Sequence, residues 1–295
     1  MPVQPGNRPV VVGVDGSASA LDATAWAARE AQRHGVALRV VTAFGWPEDW
    51  VAGGRPAGVA TREIFLTAAR ARLATAVETA RAAAPGLEVT DELVQDRPVP
   101  ALAAAGRDAR VLVVGQRGLG GLAGLVLGSV AAALALHARC PLVVVGAEVP
   151  DGAGRPVVVG VDGSAAGEAA LGFAFDAAAA RGVTLSAVHA WAVPVGVPVV
   201  ASAHATLAAS EAEVLAERLA GWGEKYPEVA VERVLLHGSA GRVLVEQSET
   251  AQLVVVGSRG RGGAASLLLG SVSHAVVHRA HCPVVVVRPE TSEPD

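Results

Sequence analysis

Gly115-Gln116-Arg117-Gly118 ends a run of apolar residues and is followed, nine residues later, by Gly128-Ser129. The same arrangement returns in the second half of the chain as Gly257-Ser258-Arg259-Gly260 with Gly270-Ser271. Each copy precedes a segment with a helical pattern, so we expect a strand-to-helix transition in which the serine caps the helix. Glycine N–H groups and the first turn of a helix together favour the binding of an anion such as phosphate.

The chain contains an internal repeat. When 111–145 is aligned with 253–287, 20 of the 35 positions are identical. Val12–Ser17 also returns, as Val159–Ser164. The repeat predicts two tandem domains, 1–148 and 154–295, and each is long enough to bury a core of its own.

Short β-branched runs alternate with longer alanine-rich segments in both halves. This pattern predicts an α/β fold, in which βαβ units build a parallel sheet with helices on both faces. Five strands are expected per half. We place them near 9–14, 38–43, 88–94, 111–115 and 142–146, and near 156–161, 184–189, 230–236, 253–257 and 283–288.

Helix signals separate these strands. Ser17 and Ser164 are candidate N-caps, and prolines follow two long helical segments. The segments 45–60 and 191–203 are long for loops and are expected to be lids or contact surfaces, with disordered surface excursions as the alternative. Further helices are expected at 61–84, 206–226, 98–106 and 239–248, and after Ser129 and Ser271.

Composition argues against several classes of protein. The segment 119–136 has no charged residue, but its copy in the second half contains Arg261 and His274 and is followed directly by Arg279, so we do not expect a membrane span. The amino terminus does not resemble a signal peptide, and a cytoplasmic protein is expected. A net charge of −4 gives no general basic surface for a nucleic acid.

Cysteine and histidine do not predict a metal centre. Cys140 and Cys282 each precede a proline at equivalent positions and are expected to be small buried side chains without a disulfide. His274 and His278 are four residues apart and leave a zinc site as a weaker alternative. Lys225 is the only lysine, and no GxxxxGK[ST] loop is present, so an anion site must use backbone amides and arginine.

Two signatures fall where ligands bind in open parallel sheets, beyond the carboxyl ends of the strands. Asp15 and Asp162 close the first strand of each half, and the glycine runs close the fourth. If these strands are neighbours, the carboxylate faces ribose hydroxyls and the amides face phosphates, which suits a nucleotide. Two structural alternatives remain open. The aspartates suit Asx hydrogen bonds, and the glycines suit turns and close packing.

The spaced glycine run, the Cys-Pro-Val-Val-Val segment after it and the amino-terminal Val-Gly-Val-Asp-Gly-Ser resemble the universal stress protein family in its tandem-domain form. The resemblance covers nearly the whole chain. It implies that each half folds as a five-stranded parallel sheet in the order 3-2-1-4-5. Members that bear this motif bind ATP, so the resemblance implies ATP as the ligand, with Mg²⁺.

Carried over by position, the resemblance implies that the aspartates lie on the ribose or metal side, the alanines at the end of strand two against adenine, and the loop residues at the phosphates. In the first half the expected binding residues are Gly13, Asp15, Ala43, Gly115, Arg117, Gly118, Gly128, Ser129 and Val130. In the second half they are Gly160, Asp162, Ala190, Gly257, Arg259, Gly260, Gly270, Ser271, Val272 and Ser273.

We expect an ATP-binding stress-response regulator in which occupancy of two sites alters a lid or an interface. A slow Mg-dependent ATPase or phosphotransferase and a scaffold that binds nothing are the alternatives. Ser273 replaces Ala131 of the first copy, so the second site is expected to bind at least as tightly. The family's fifth strand commonly pairs across a two-fold axis, which predicts an intramolecular pseudo-dimer and leaves a homodimer and an unknown protein partner open.

Overall fold

The chain forms two compact units, Met1–Ala147 and Glu148–Asp295. A computed structural model describes residues 7–45, 51–52, 55–56, 59–120, 127–146, 154–192, 201–260 and 269–289. The two units have the same plan, and each is described by itself.

The first unit alternates strands and helices along the chain. Its elements are β1 (Val10–Gly13), α1 (Ala18–His34), β2 (Leu38–Ala43), β3 (Val51–Ala52), β4 (Arg55–Pro56), α2 (Val59–Ala83), β5 (Val89–Val94), α3 (Pro98–Ala105), β6 (Val111–Gly115), α4 (Ser129–His137) and β7 (Leu142–Val145).

The second unit repeats this alternation. Its elements are β8 (Val157–Gly160), α5 (Ala165–Arg181), β9 (Leu185–Trp191), α6 (Ala201–Leu219), α7 (Trp222–Lys225), β10 (Val231–His237), α8 (Ala240–Gln247), β11 (Leu253–Gly257), α9 (Ser271–Arg279) and β12 (Val284–Val287).

Five parallel strands form the sheet of each unit. In the first unit Val10 of β1 pairs with Leu38 of β2 on one side and with Val111 of β6 on the other. β5 and β7 extend this core outward, which gives the order β5-β2-β1-β6-β7, and the second unit has β10-β9-β8-β11-β12. The expected order 3-2-1-4-5 is confirmed. The winding reverses between β1 and β6, where the two signatures of the sequence meet.

Continuous valine runs explain the buried centre of each sheet. All four residues of β1 and of β7 are buried, as expected for strands covered by helices on both faces. The helices that cover them begin and end at local signals. The Ser17 hydroxyl accepts a hydrogen bond from the N–H of Ala20 at 3.2 Å, and Gly35 ends α1 in the left-handed region at φ +62°. Ser164 caps α5 in the same way. Both serine caps agree with the sequence prediction.

Two departures from the predicted elements have local causes. The single helix expected over 206–226 is interrupted at Gly221, which has φ +80°, and the short α7 turns so that the Trp222 ring stacks on Phe175 with 5.1 Å between centroids. In the first unit, the long segment expected over 45–60 contains two short antiparallel strands, β3 and β4, outside the main sheet.

The two cysteines are free and buried, as expected from the sequence. Burial raises the pKa of the Cys140 thiol to about 11 and that of the Cys282 thiol to about 12. Both side chains therefore act as small apolar groups in the core. Among the described residues, no helix combines the length and apolar character needed to cross a bilayer.

The close approach of β6 to α1 gives a test of the fold. A Cβ added to Gly115 would lie 2.7 Å from both the carbonyl carbon and the oxygen of Ser19. We therefore expect Gly115→Ala to displace the first turn of α1 and to lower the free energy of unfolding by about 1–3 kcal/mol. Urea unfolding measures the loss. Gly120→Ala is the control because its Cβ would meet no atom within 4 Å. Equal stability of the two variants would contradict the assignment.

Candidate nucleotide site

A cavity of about 370 Å³ opens in the first unit at the carboxyl ends of β1, β2 and β6. This volume lies within the range of small-molecule and cofactor sites. The nine residues that the sequence predicted for this half all lie on its wall. The complete lining is Gly13, Val14, Asp15, Ala20, Val41, Ala43, Pro98, Leu102, Val114, Gly115, Arg117, Gly118, Gly120, Leu127, Gly128, Ser129, Val130 and Ala131.

Serine side chains of the first helix hold the glycine run against the sheet. The Ser17 hydroxyl donates to the carbonyl of Arg117 at 3.2 Å, and the Ser19 hydroxyl accepts from the N–H of Arg117 at 3.4 Å. Both bonds are possible because Gly115 has no side chain to separate the loop from α1. Both the carbonyl and the N–H of Arg117 are thus bonded to serine hydroxyls, which hold the loop.

Asp15 connects the end of β1 to the same loop. One carboxylate oxygen accepts from the N–H of Ser17 at 2.9 Å, and the other accepts from the N–H of Leu119 at 2.8 Å. The first bond is the Asx hydrogen bond that was considered as a structural alternative. The second closes the glycine run over the strand ends. A Cβ at Gly118 would collide with this carboxylate, so a glycine at 118 and the aspartate require each other.

The fourth helix begins one residue earlier than the predicted cap implies. Gly128 is the N-cap, with extended backbone at φ −69° and ψ 151°, and Ser129 is the first helical residue. The expectation that Ser129 and Ser271 cap their helices is therefore wrong, and Gly270 takes the same place before α9. The N–H of Gly128 donates to the Gln116 carbonyl at 2.8 Å, which holds the cap beside the loop.

The first turn of α4 consequently points its amides toward the cavity. The N–H groups at the start of a helix have no acceptor within the helix, and they carry the positive end of its dipole. Ser129, Val130 and Ala131 belong to this turn and line the cavity. Together with the glycine run they form one concave surface of N–H donors, which suits a phosphate chain.

The opposite wall of the cavity is apolar. Val41 and Ala43 of β2 lie there with Pro98 and Leu102 of α3. Leu127, which precedes the fourth helix, also lines the cavity. Sequence reasoning missed the α3 residues. A usable signal was present, because α3 follows directly after β5 and so begins at the same edge of the sheet as the glycine run. Gly13 allows Leu102 to approach the strand, because a Cβ added at Gly13 would lie only 2.6 Å from Leu102 Cδ1.

The second unit reproduces part of these contacts, and it has Ala166 where the first unit has Ser19. Asp162 accepts from the N–H and the hydroxyl of Ser164 at 2.9 and 2.7 Å, and a Cβ at Gly260 would lie 2.7 Å from its other oxygen. The Ser164 hydroxyl also lies 3.2 Å from the Arg259 carbonyl. Gly257 passes the backbone of Ala166 as closely as Gly115 passes Ser19, and the N–H of Gly270 donates to the Ser258 carbonyl at 2.9 Å.

The remaining predicted residues of the second unit lie on the same elements as in the first. Gly160 ends β8 and faces Leu244 of α8, Ala190 is in β9, and Val272 follows Ser271 in α9. Ser273 is buried, and its hydroxyl donates to the Gly257 carbonyl at 2.5 Å. In this conformation its proton is used within the protein, and the hydroxyl ties α9 to the end of β11.

The two units differ in charge beside the glycine run. Arg288 follows β12 and is half-buried, whereas the equivalent residue in the first unit is Gly146, next to the Gln116 side chain. Burial lowers the pKa of Arg288, and the positive charge of Arg259 lowers it further. The second unit therefore has an additional guanidinium close to Arg259.

The two histidine rings on α9 lie close together and are tilted by 31° to each other. The His274 and His278 centroids lie 4.2 Å apart. Burial lowers the pKa of His278, and the charges of His274 and Arg279 add to this effect. Within the described part of the chain, no group of three or more His, Cys, Asp or Glu residues could hold a metal ion.

The fold and the cavity define a class: open parallel α/β domains with a glycine-rich anion cradle at the point where the winding reverses. Residues 6–146 and 154–288 each match the model of the universal stress protein family. The chain belongs to the universal stress protein family and contains its domain twice. The resemblance to the tandem form is confirmed.

Relatives and solved structures agree with this assignment. Two universal stress proteins of Mycobacterium tuberculosis are 42% identical over 296 residues and 43% identical over 291 residues, and each alignment covers 95% of this chain and 96% of the relative. The crystal structure of a universal stress protein from Archaeoglobus fulgidus has a TM-score of 0.72 at 19% identity, and the match covers 98% of this chain and 99% of that one. The latter similarity concerns the fold alone.

The bond from Leu119 to Asp15 gives a prediction about loop order. Asp15→Ala removes the acceptor of two N–H groups, at about 0.5–1.5 kcal/mol for each hydrogen bond. We expect faster amide exchange at Leu119 and Ser17, measured by hydrogen exchange and NMR. Asp108→Ala is the control because Asp108 is an exposed carboxylate. Unchanged protection at Leu119 would show that the carboxylate does not close the loop.

Proposed function

We propose that each unit binds one adenine nucleotide, with ATP and its Mg²⁺ as the ligand, and that the protein is a nucleotide-sensing regulator. The observation that carries the proposal is the form of the cavity in the first unit. Its polar wall is a cradle of backbone N–H groups that a Cβ at Gly118 would obstruct, and its other wall is apolar. The second unit repeats the backbone contacts of the cradle.

The two walls suit the two ends of a nucleotide. Ala43 and Leu102 would contact the flat, apolar base, while the amides of the glycine run and of Ser129 would hold the phosphates. Asp15 lies between these walls on the ribose side. Mg²⁺ keeps several waters and binds phosphate oxygens readily, so it would arrive with the nucleotide and need no protein cage.

Regulation requires that ATP bind one conformation better than another. The glycine run is the element with this capacity, because Ser17, Ser19 and Asp15 hold it through three hydrogen bonds. Two of these bonds occupy the N–H groups of Arg117 and Leu119, which a phosphate would otherwise accept from. Occupancy would then alter the surface that the loop presents to a protein partner.

Release and turnover are measured first. The purified protein is denatured and its supernatant chromatographed for adenine nucleotides, and thermal unfolding is followed with and without Mg-ATP. No released nucleotide and no thermal shift would refute the proposal. ADP production is then compared between wild type and the Asp15→Ala/Asp162→Ala double variant. A steady rate that vanishes in the double variant would assign a slow ATPase instead.

The cradle predicts a loss of binding on adding two methyl groups. Gly118→Ala with Gly260→Ala should push the aspartates away and fill the phosphate wall, which lowers the affinity for Mg-ATP by about 100-fold, or about 2.7 kcal/mol. Calorimetric titration measures it, with circular dichroism to verify the fold. Gly223→Ala, a matched substitution into open space, is the control. Unchanged affinity in the double variant would overturn the cradle.

The two sites are predicted to differ in affinity. Ser273 offers a hydroxyl where Ala131 has none, provided that it turns from the Gly257 carbonyl toward phosphate. We expect Ser273→Ala to weaken the second site by about 2- to 10-fold and Ala131→Ser to strengthen the first. Each site is titrated alone in the Gly118→Ala or Gly260→Ala background. A Ser273→Ala variant with lower thermal stability but unchanged affinity would restrict the hydroxyl to holding Gly257.

A further inference from the structure

A buried histidine lies behind the second site. His189 of β9 is 5% exposed, and its ring contacts groups on both sides. Nδ1 lies 2.7 Å from the Val161 carbonyl oxygen, and Nε2 lies 2.8 Å from Oε2 of Glu211 on α6. Val161 immediately precedes Asp162, and His189 immediately precedes Ala190. The ring therefore connects the turn that bears the aspartate to the helix on the far side.

The first unit has a different residue at this place. Thr42 is the counterpart of His189 in β2, and its hydroxyl donates to the Val14 carbonyl at 2.6 Å. Val14 precedes Asp15 as Val161 precedes Asp162. Both units thus hold the carbonyl before the aspartate by a side chain of the second strand. The second unit does so with a titratable ring that also reaches a carboxylate.

The two contacts require a specific number of protons. A carbonyl oxygen only accepts, so Nδ1 carries a proton and donates to Val161. The 2.8 Å contact between Nε2 and Glu211 needs a second proton, on the ring or on the carboxyl group. Removal of that proton leaves a ring lone pair facing a carboxylate oxygen, which is repulsive. The geometry of the contact therefore holds only while this second proton is in place.

Neighbouring charged groups, where the structure describes their contacts, have other partners. Asp162 is held by Ser164, and the Arg218 guanidinium of α6 lies against Gly163. The charged or titratable groups on the other elements packed around β9 are Glu168 of α5 (bonded to Trp222), Asp176 of α5 (bonded to Tyr226), Arg181 of α5 (bonded to the Ala177 carbonyl), Arg242 and Glu246 of α8 (paired with each other), Glu232 and Arg233 of β10 (both exposed), and His237 of β10 (against Trp191).

We propose that His189 and Glu211 are positioning residues that make the second nucleotide site sensitive to pH, while the first site lacks this sensitivity. The inference rests on the proposed function. With the proton in place, the ring fixes the Val161 carbonyl and the adjoining Asp162 turn, and it fixes Ala190 beside the base. Without the proton, Glu211 turns toward solvent, to which it is already 31% exposed, and the ring loses one of its two anchors.

Each site is titrated with Mg-ATP by calorimetry at about pH 6 and about pH 8, on either side of the imidazole range. Gly118→Ala isolates the second site and Gly260→Ala isolates the first. The first site is the necessary control, because a terminal phosphate itself titrates near this range. We expect the affinity of the second site to fall about 5-fold more than that of the first as the pH rises.

Two substitutions distinguish a positioning role of His189 and Glu211 from a role in packing alone. His189→Thr installs the residue of the first unit and should give the second site the pH profile of the first. Glu211→Gln keeps a hydrogen bond, because an amide N–H donates to the neutral ring without an added proton. This variant should match the wild-type second site at the lower pH, and from there its affinity should follow the pH profile of the first site.

The possible outcomes are distinct. Parallel pH profiles of the two wild-type sites, or a profile that His189→Thr and Glu211→Gln leave unchanged, would overturn the inference while nucleotide binding stands. An absence of binding by the second site at both pH values would overturn the proposed function of this unit and the inference with it. If His189→Thr unfolds, Glu211→Gln alone decides, since its partly exposed side chain tolerates the exchange.

Discussion

The structure depends on one close approach, that of the end of the fourth sheet strand to the first turn of the first helix. At Gly115 and at Gly257 the backbone passes so near to the helix that a single methyl group would overlap it. This approach brings the serines of α1 within hydrogen-bonding distance of the loop that follows. It also places the carboxylate after β1 beneath the same loop. The concave arrangement of the glycine run is thus a consequence of how tightly the sheet and helix pack.

Comparison of the two units shows which residues this close approach requires and which residues can differ between them. The glycines, the aspartates and the capping serines are common to both units, and in each unit the capping serine bonds the loop. Ser19, which also bonds the loop in the first unit, has an alanine as its counterpart. Other differences lie one layer behind, where Thr42 is matched by His189, or at the rim, where Gly146 is matched by Arg288. The two units therefore keep the same glycine run while the side chains around it differ in charge and in hydrogen bonding.

Much of this architecture could be predicted from the sequence. All ten strands of the two sheets lie within two residues of their predicted ends. In the central strands, valine runs buried on both faces leave little ambiguity, whereas the edge strands β5 and β10 are partly exposed. Their order came from the family resemblance. The error at Ser129 arose because a glycine can take the extended cap conformation and leave the serine inside the helix. No pattern in the sequence predicts the contact of His189 with Glu211, since the two residues meet only after β9 and α6 pack together.

The buried cysteines bear on a protein of a stress-response family in a further way. Oxidants attack the thiolate, and burial keeps Cys140 and Cys282 protonated and out of reach. The chain has no other cysteine. Both thiols are therefore poor targets for a peroxide that modifies exposed, reactive thiols elsewhere.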